Sequence, residues 1–195
     1  MKNAGRIKLA AMVAILAALF SLQSASAQEQ PSQYVDGKYD FSVTVPATWK
    51  SARLQEYSVP GVARVAYARP GGASIVIFVQ EPGKAFEPRF LMDESAKSMK
   101  KVLDVALEES EVRNVGGKQA MWLIVKGKGT GGAIDGKGSV ETSQHWIAVP
   151  REKDIVVVLL TSPATDFQKN SESFVEILKT LKIGGNQTQA QSDSK

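Results

Sequence analysis

One run of apolar residues constrains the fold of this chain more than any other feature. Residues 155–160 are Ile-Val-Val-Val-Leu-Leu, with no polar residue among them. Side chains along a strand point alternately to opposite faces of the sheet, so a strand that is apolar throughout is buried on both faces. The run therefore predicts the central strand of a sheet that is covered on both sides.

The surrounding sequence predicts further strands. Residues 39–45 alternate strictly, with Tyr39, Phe41, Val43 and Val45 on one face. Two β-rich runs flank the Pro-Gly-Gly sequence at 70–72, which is typical of a hairpin turn. Besides 39–45 and 155–160, strands are expected at 62–68, 74–79, 120–125 and 140–149.

Two segments have the periodicity of amphipathic helices. Apolar residues recur at helical spacing across 88–107, and again from Ser162-Pro163 to Gly184, where Ser can cap the helix and Pro fits its first turn. The order of strands and helices predicts an α/β fold of the α+β type: a three-layer α/β/α sandwich with a central, mostly antiparallel sheet. A sheet covered on one side only is the alternative, and the run at 155–160 favours the sandwich.

The first 27 residues are typical of a cleavable export signal. Basic residues precede an uncharged apolar run at 9–20, and Ala25-Ser26-Ala27 supplies the small residues needed for cleavage. The run is shorter than the roughly 20 apolar residues of a membrane-spanning helix. Cleavage after Ala27 is expected, which leaves a periplasmic or secreted protein with no stable membrane insertion.

Removal of the signal changes the charge of the chain. The precursor has 24 Lys and Arg against 20 Asp and Glu. The signal holds three of the basic residues (Lys2, Arg6 and Lys8) and no acidic one, so the mature part has 21 against 20, a net charge of +1. A charge this close to zero does not favour nucleic acid or an anionic surface as a partner. The chain has no Cys, which excludes disulfides, zinc–thiolate sites and thiol nucleophiles.

The mature part has the length of one domain. Residues 28–33 are polar and are expected to form a flexible arm, and residues 34–183 the single domain. Residues 184–195 are mainly Gln, Ser, Asp, Asn and Gly. Such a tail lacks the apolar residues that offset the entropy cost of ordering, so it is expected to be disordered.

Two segments are similar to a known fold family. Residues 37–49, GKYDFSVTVPATW, resemble the opening strand of PsbP/Mog1-like domains, and residues 162–183 resemble their last helix. The resemblance covers 34–183 and implies an α/β/α sandwich with a non-enzymatic role in binding or assembly. Members include extrinsic photosystem II proteins, a Ran-binding protein and bacterial envelope proteins. These roles differ too much for the fold to select one of them.

His145 is the only histidine of the chain. Glu141, Ser143 and His145 share one face of a predicted strand at a period of two, which could bring an acid, a nucleophile and a base together. However, no Gly-x-Ser-x-Gly motif is present, and a single His does not favour a transition-metal site. A structural or surface role is expected for His145, and neither a metal nor a cofactor is expected.

The Gly-rich stretch 127–138 is the most conspicuous candidate for binding. Its backbone N–H groups and two lysines could cradle an anion. The spacing is not that of a Walker loop and the stretch joins two predicted strands, so a flexible hairpin loop is favoured. Loops on a rigid sheet often carry recognition. The predicted ligand- or partner-binding residues are Lys128, Gly129, Thr130, Gly131, Gly132, Asp135 and Lys137.

Two other groups of residues have ordinary structural interpretations. Trp49, Trp122 and Trp146 are expected in the core rather than along a ligand groove. Several acidic residues are interspersed with lysines, so a solvated face of the first helix is favoured over a calcium site or an acid–base pair. These acidic residues are Asp93, Glu94, Asp104, Glu108, Glu109 and Glu111.

The sequence favours an exported, non-catalytic binding or accessory protein of the bacterial cell envelope, with an envelope protein as its partner. Two alternatives remain open at this point. A small-molecule or lipid carrier would need a sizeable apolar cavity. A hydrolase would use His145 with Ser143 or Glu141.

Overall fold

The apolar run at 155–160 lies at the centre of a large antiparallel sheet. In the computed structural model the described residues are 30–81, 93, 97, 106–127 and 141–184. The chain divides into two units, Met1–Gln30 and Pro31–Lys195, and every element named here belongs to the second. The elements in chain order are β1 Ser32–Asp36, β2 Phe41–Val45, β3 Lys50–Ser51, β4 Val62–Arg69, β5 Ala73–Gln80, β6 Ala106–Val115, β7 Lys118–Gly127, β8 Thr142–Pro150, β9 Ile155–Pro163, α1 Phe167–Lys179 and β10 Lys182–Ile183.

The large sheet has the strand order β3-β4-β5-β9-β8-β7-β6, and each pairing of its described strands is antiparallel. All of residues 155–160 are buried. Val156, Val158 and Leu160 pack into one core cluster, while their neighbours at 155, 157 and 159 pack into the other. The prediction of a central strand buried on both faces is therefore confirmed.

One face of the large sheet is covered by α1 together with a three-stranded sheet of order β1-β2-β10. The alternation predicted for β2 is confirmed, because every second residue of this strand enters the core. The covering residues on this face include Phe41, Val43, Val45, Phe174, Ile177, Leu178 and Ile183. No helix in the described part of the chain is long and apolar enough to cross a membrane.

The opposite face of the large sheet packs against Ala52, Leu54, Tyr57 and Val59, which lie between β3 and β4. Asp93 and Lys97, from the predicted first helix, are helical, and the rest of 88–105 lies outside the described residues. The described part is thus an α/β fold that is richer in sheet than the expected sandwich. The reason is that α1 shares its face of the large sheet with a second, smaller sheet.

Three boundaries differ from those predicted. Strand β6 begins at Ala106, so Leu107 pairs with Val125 of β7 instead of ending the first helix. The second helix begins at Phe167, because Ser162 and Pro163 are still paired with β8, and it ends at Lys179 before β10. Strand β1 begins at Ser32, so the last two residues of the predicted arm at 28–33 pair with β2.

Asp36 ties the small sheet to the large one. Its buried carboxylate accepts hydrogen bonds from Arg64 Nε of β4 at 2.5 Å and from Tyr34 Oη at 3.0 Å. The backbone N–H groups of Lys38 and Tyr39 donate to it as well, each at 3.0 Å. Burial alone would raise the pKa of Asp36, but these hydrogen bonds and the charge of Arg64 hold it below its usual value.

Candidate recognition site at one end of the sheet

Three connections leave the large sheet at the same end, which we call the loop end: the turn 70–72, the segment 128–141 and the turn Ala164–Asp166. The register places them together, because Thr142 lies opposite both Gly127 and Pro163. The Ala164 N–H donates to the Glu141 carbonyl at 2.9 Å. A Cβ added to Gly72 would lie 3.7 Å from Pro163 Cγ, so the turn 70–72 approaches the start of Ala164–Asp166 closely.

The predicted binding residues belong to the segment between Gly127 and Thr142 and are outside the described residues. Gly127 is the last residue of β7 and Thr142 the first of β8. The hairpin connection predicted for the Gly-rich stretch is confirmed in its anchors, since these two residues are paired across the strands. Lys128, Gly129, Thr130, Gly131, Gly132, Asp135 and Lys137 stay a prediction.

A chain of side-chain hydrogen bonds fixes α1 against the sheet beneath the loop end. Arg69 Nη1 donates to Asn170 Oδ1 at 3.1 Å, and Asn170 Nδ2 donates to Ser162 Oγ at 2.8 Å. The Ser162 hydroxyl donates to the Pro163 carbonyl at 3.0 Å. The chain joins the ends of β4 and β9 to the first turn of α1, so the bases of two connections are held rigidly.

Trp49 extends this anchor as a packing residue. Its Nε1 donates to Ser173 Oγ of α1 at 3.0 Å, and the Arg69 guanidinium lies 5.3 Å from the centre of its ring. Trp49 and Trp122 are buried as predicted, whereas Trp146 is only half-buried and packs edge-on against Phe78. Trp146 packs against the rim of the second core cluster, and its Nε1 donates to Gln144 Oε1 at 3.0 Å.

His145 is enclosed by aromatic rings between β8 and α1. The ring centroids of Trp122, Phe174 and Phe167 lie 4.3, 5.1 and 6.4 Å from that of the imidazole. His145 Nδ1 lies 3.2 Å from Ser171 Oγ. Burial, with a smaller effect of the positive charge of Arg113, lowers the pKa of His145 to about 3. The side chain is therefore neutral at physiological pH.

The structure does not assemble a hydrolytic group from Glu141, Ser143 and His145. Glu141 is exposed just before β8, whereas Ser143 and His145 are buried on the same face of β8. Neither Ser143 Oγ nor His145 Nε2 has a hydrogen-bond partner within the described part of the chain. A nucleophile needs a base within hydrogen-bond reach and a route for the substrate, and these contacts supply neither.

The acidic residues are placed differently from the prediction. Glu108, Glu109 and Glu111 belong to strand β6 and not to a helix. Glu108 pairs with Lys126 at 2.6 Å, and the other two pair with Arg113. Asp93 is helical, while Glu94 and Asp104 lie outside the described residues. Among the residues that the structure describes, no group of three acidic or histidine side chains could hold a metal ion.

Sequence reasoning missed Arg69 and Asn170, which anchor the loop end. They lie 101 positions apart in the chain, and neither belongs to a motif. Only the pairing of β4, β5 and β9 brings them together. No local signal in the sequence could have identified this contact.

The comparisons with known proteins identify the fold. The chain has a TM-score of 0.60 to the solution structure of cyanobacterial PsbP (CyanoP) from Synechocystis sp. PCC 6803, at 14% identity, covering 82% of this chain and 96% of that one. LpqN of Mycobacterium tuberculosis has a TM-score of 0.52 at 14% identity, covering 79% of this chain and 90% of that one. The Saccharomyces cerevisiae Ran-binding protein Mog1p has a TM-score of 0.50 at 10% identity, covering 80% of this chain and 96% of that one.

The described architecture is therefore that of an α/β domain with the PsbP/Mog1-like fold, as the sequence resemblance implied. No protein-family model and no curated protein sequence matches the chain.

Proposed function

We propose that this chain is an exported, non-catalytic binding or accessory protein of the bacterial cell envelope, and that it recognises a partner protein through its loop end. One observation carries the proposal: three connections leave an antiparallel sheet side by side, and the Arg69–Asn170–Ser162 chain fixes the bases of two of them. Recognition residues are commonly placed on loops that a rigid scaffold positions.

Proteins that share the fold support this role. Mog1p is described as a Ran-binding protein, and LpqN as involved in cell envelope biogenesis. The proposal includes the periplasmic or secreted location that follows from cleavage after Ala27. It also includes a second helical layer, formed by the segment around Asp93 and Lys97, on the face of the sheet opposite α1.

The environment of His145 favours binding over hydrolysis. A general base near neutral pH has a pKa close to the working pH, whereas burial lowers the pKa of His145 to about 3. The adjacent Ser143 hydroxyl is completely buried. We therefore assign His145 to packing and expect the recognition chemistry at the exposed loop end.

Site-specific photocrosslinking in the native envelope tests this proposal. A photoreactive residue replaces Thr130, in the predicted recognition segment, or Lys153, an exposed residue of the β8–β9 turn at the opposite end of the sheet. We expect the probe at Thr130 to crosslink one defined envelope protein, identified by mass spectrometry. The probe at Lys153 should not crosslink it.

A shortened loop gives the matched control. For this control the probe replaces Thr165, which is exposed in the neighbouring turn of the loop end. Replacing 128–138 with two residues should abolish capture by this probe while leaving the thermal unfolding of the domain unchanged. Capture from Lys153 alone would place recognition at the other end of the sheet and overturn the assignment to the loop end. Absence of a protein adduct from both positions would contradict protein recognition.

A further inference from the structure

Two polar side chains of β8 are completely enclosed between the large sheet and α1. Ser143 is 0% and His145 1% exposed. They point to the same face of the strand, toward the helix that carries Ser171. Ser143 is also the first buried side chain after the segment 128–141. The pair therefore links the base of the loop end to α1.

Each of these side chains has one polar atom whose hydrogen bonding is incomplete. Of the atoms that the structure describes, Ser143 Oγ and His145 Nε2 are buried and make no hydrogen bond to the protein. Buried polar groups in native proteins are almost always paired, and internal water is a common partner where no protein group is within reach. Trp122 Nε1, on the ring that packs against the imidazole, is also buried without a hydrogen-bond partner in the described part of the chain. Ser143 Oγ and His145 Nε2 belong to one face of one strand, so a single molecule can be the partner of both.

One small molecule suits the spacing of the two residues. Residues two apart on a strand are separated by about 6.5 Å along the backbone, and Ser143 Oγ makes no direct hydrogen bond to His145 Nε2. A water that makes two hydrogen bonds of about 2.8 Å joins polar atoms up to about 5.6 Å apart, a span of the same order. Ser162, opposite Ser143 on β9, is already paired with Asn170 and the Pro163 carbonyl.

The chemistry of the pair selects a neutral ligand that can both donate and accept. The imidazole is surrounded by the rings of Trp122, Phe167 and Phe174. A buried ion there would need a paired charge of opposite sign. Nδ1 can either donate to or accept from Ser171 Oγ, so Nε2 is an acceptor in one tautomer and a donor in the other. Water can donate to or accept from Nε2 and therefore suits both tautomers. The Ser143 hydroxyl can likewise either donate to this water or accept from it.

We propose that one internal water molecule bridges Ser143 Oγ and His145 Nε2 and thereby completes a hydrogen-bonded link from the start of β8 to Ser171 of α1. The link is a structural binding site at the base of the loop end. It does not depend on the identity of any partner protein.

Water-selective NOE spectroscopy on the purified protein tests the proposal directly. We expect cross-peaks between a long-lived water and the ring protons of His145. These cross-peaks should disappear in Ser143→Ala and persist in Ser162→Ala, the matched control, because Ser162 is equally buried but already paired within the protein. Ser143→Ala should also lower Tm by about 2–4 °C, since a bridged hydroxyl contributes a net hydrogen bond.

Opposite outcomes would overturn the bridge. Absence of a water cross-peak to His145 in the unaltered protein would do so without reliance on any variant. Persistence of the cross-peak in Ser143→Ala would remove Ser143 from the site. An unchanged or raised Tm in that variant would show that the hydroxyl is buried without a partner, because removing such a group relieves a desolvation cost.

Discussion

The imidazole of His145 is almost completely buried. It is neutral because the aromatic cage excludes water and Arg113 adds a positive charge nearby. The sequence predicted a structural or surface role for His145, and its burial favours the structural one. Its aromatic neighbours could not be predicted, because they come from β7 and α1 and meet His145 only when the sheet and the helix pack.

The buried histidine should make stability depend on pH. The pKa of His145 is about 3 in the folded protein against 6.5 for an ordinary histidine, so the unfolded chain binds the proton more readily between these values. Its contribution to stability is complete above about pH 6.5 and is lost as the pH falls toward 3. We expect the free energy of unfolding to fall by about 2 kcal/mol between pH 8 and pH 5, measured by urea denaturation.

The same titration on His145→Gln isolates the effect. The chain has no second histidine and no Cys, and the pKa of Asp36 is held below its usual value. The variant is expected to be less stable at pH 8 but nearly independent of pH down to pH 5. An equal slope in the two proteins would mean that another group is responsible.

Strand β6 shows where element-level reasoning from the sequence fails. The ends of strands β2, β4, β5, β7, β8 and β9 were predicted within about three residues, and those of helix α1 within about five. Strand β6 has Glu108, Glu109 and Glu111, and in the described sheet it pairs with β7 alone. An edge strand needs little apolar surface, so its acidic residues resemble the solvated face of a helix.

A usable signal for β6 was nevertheless present in its turn. Gly116 and Gly117 have φ angles of 60° and 79°, which is the left-handed conformation that both central residues of a type I′ hairpin turn require. A Gly-Gly pair between two runs of strand-forming residues is typical of such a hairpin. The Gly116-Gly117 pair predicts the β6–β7 hairpin when it is given more weight than the alternation of acidic residues and lysines.

The acidic residues of β6 should protect this edge of the described sheet from self-association. Glu109 and Glu111 are partly exposed on the strand and pair with Arg113. Replacement of both with Val favours edge-to-edge pairing, because charged side chains on an edge oppose it. We expect self-association at about tenfold lower protein concentration, equivalent to about 1.4 kcal/mol, in sedimentation velocity experiments.

The control makes the same chemical change away from the edge. Glu172→Val with Glu176→Val removes two charges from the exposed face of α1. This variant is expected to sediment like the unaltered protein. If both double variants self-associate equally, general hydrophobicity is the cause and the edge of β6 has no special role.

At the scale of the whole molecule, one run at 155–160 was enough to predict a sheet buried on both faces. It could not predict that a second sheet shares one face with α1. Strand β1 has an exposed valine and mostly exposed neighbours, so its sequence resembles an arm. The position of β1 depends on hydrogen bonds of Asp36 and Tyr34 to Arg64 of β4. These residues are distant in the sequence, so no local pattern predicts the contact.

From this arrangement we expect the folded domain to begin with β1. A chain that starts at Gln28 keeps β1, whereas one that starts at Gly37 loses it, together with the carboxylate that pairs with Arg64. The shorter chain loses the pairing of β1 with β2 and the hydrogen bond between Asp36 and Arg64, and a hydrogen bond to a charged group alone contributes about 1.5–3 kcal/mol. We expect the first chain to unfold at the same temperature as the full-length protein, and the second about 10 °C lower or not to fold.

Differential scanning calorimetry of the three chains distinguishes the possible outcomes. A lower Tm for the chain starting at Gln28 would mean that residues 1–27 support the folded domain, which is incompatible with their removal as an export signal. Equal Tm values for all three chains would mean that β1 contributes nothing to stability, and that the residues before Gly37 act as an arm. If Tm falls only for the chain starting at Gly37, residues 1–27 are not needed for stability and the folded domain begins with β1.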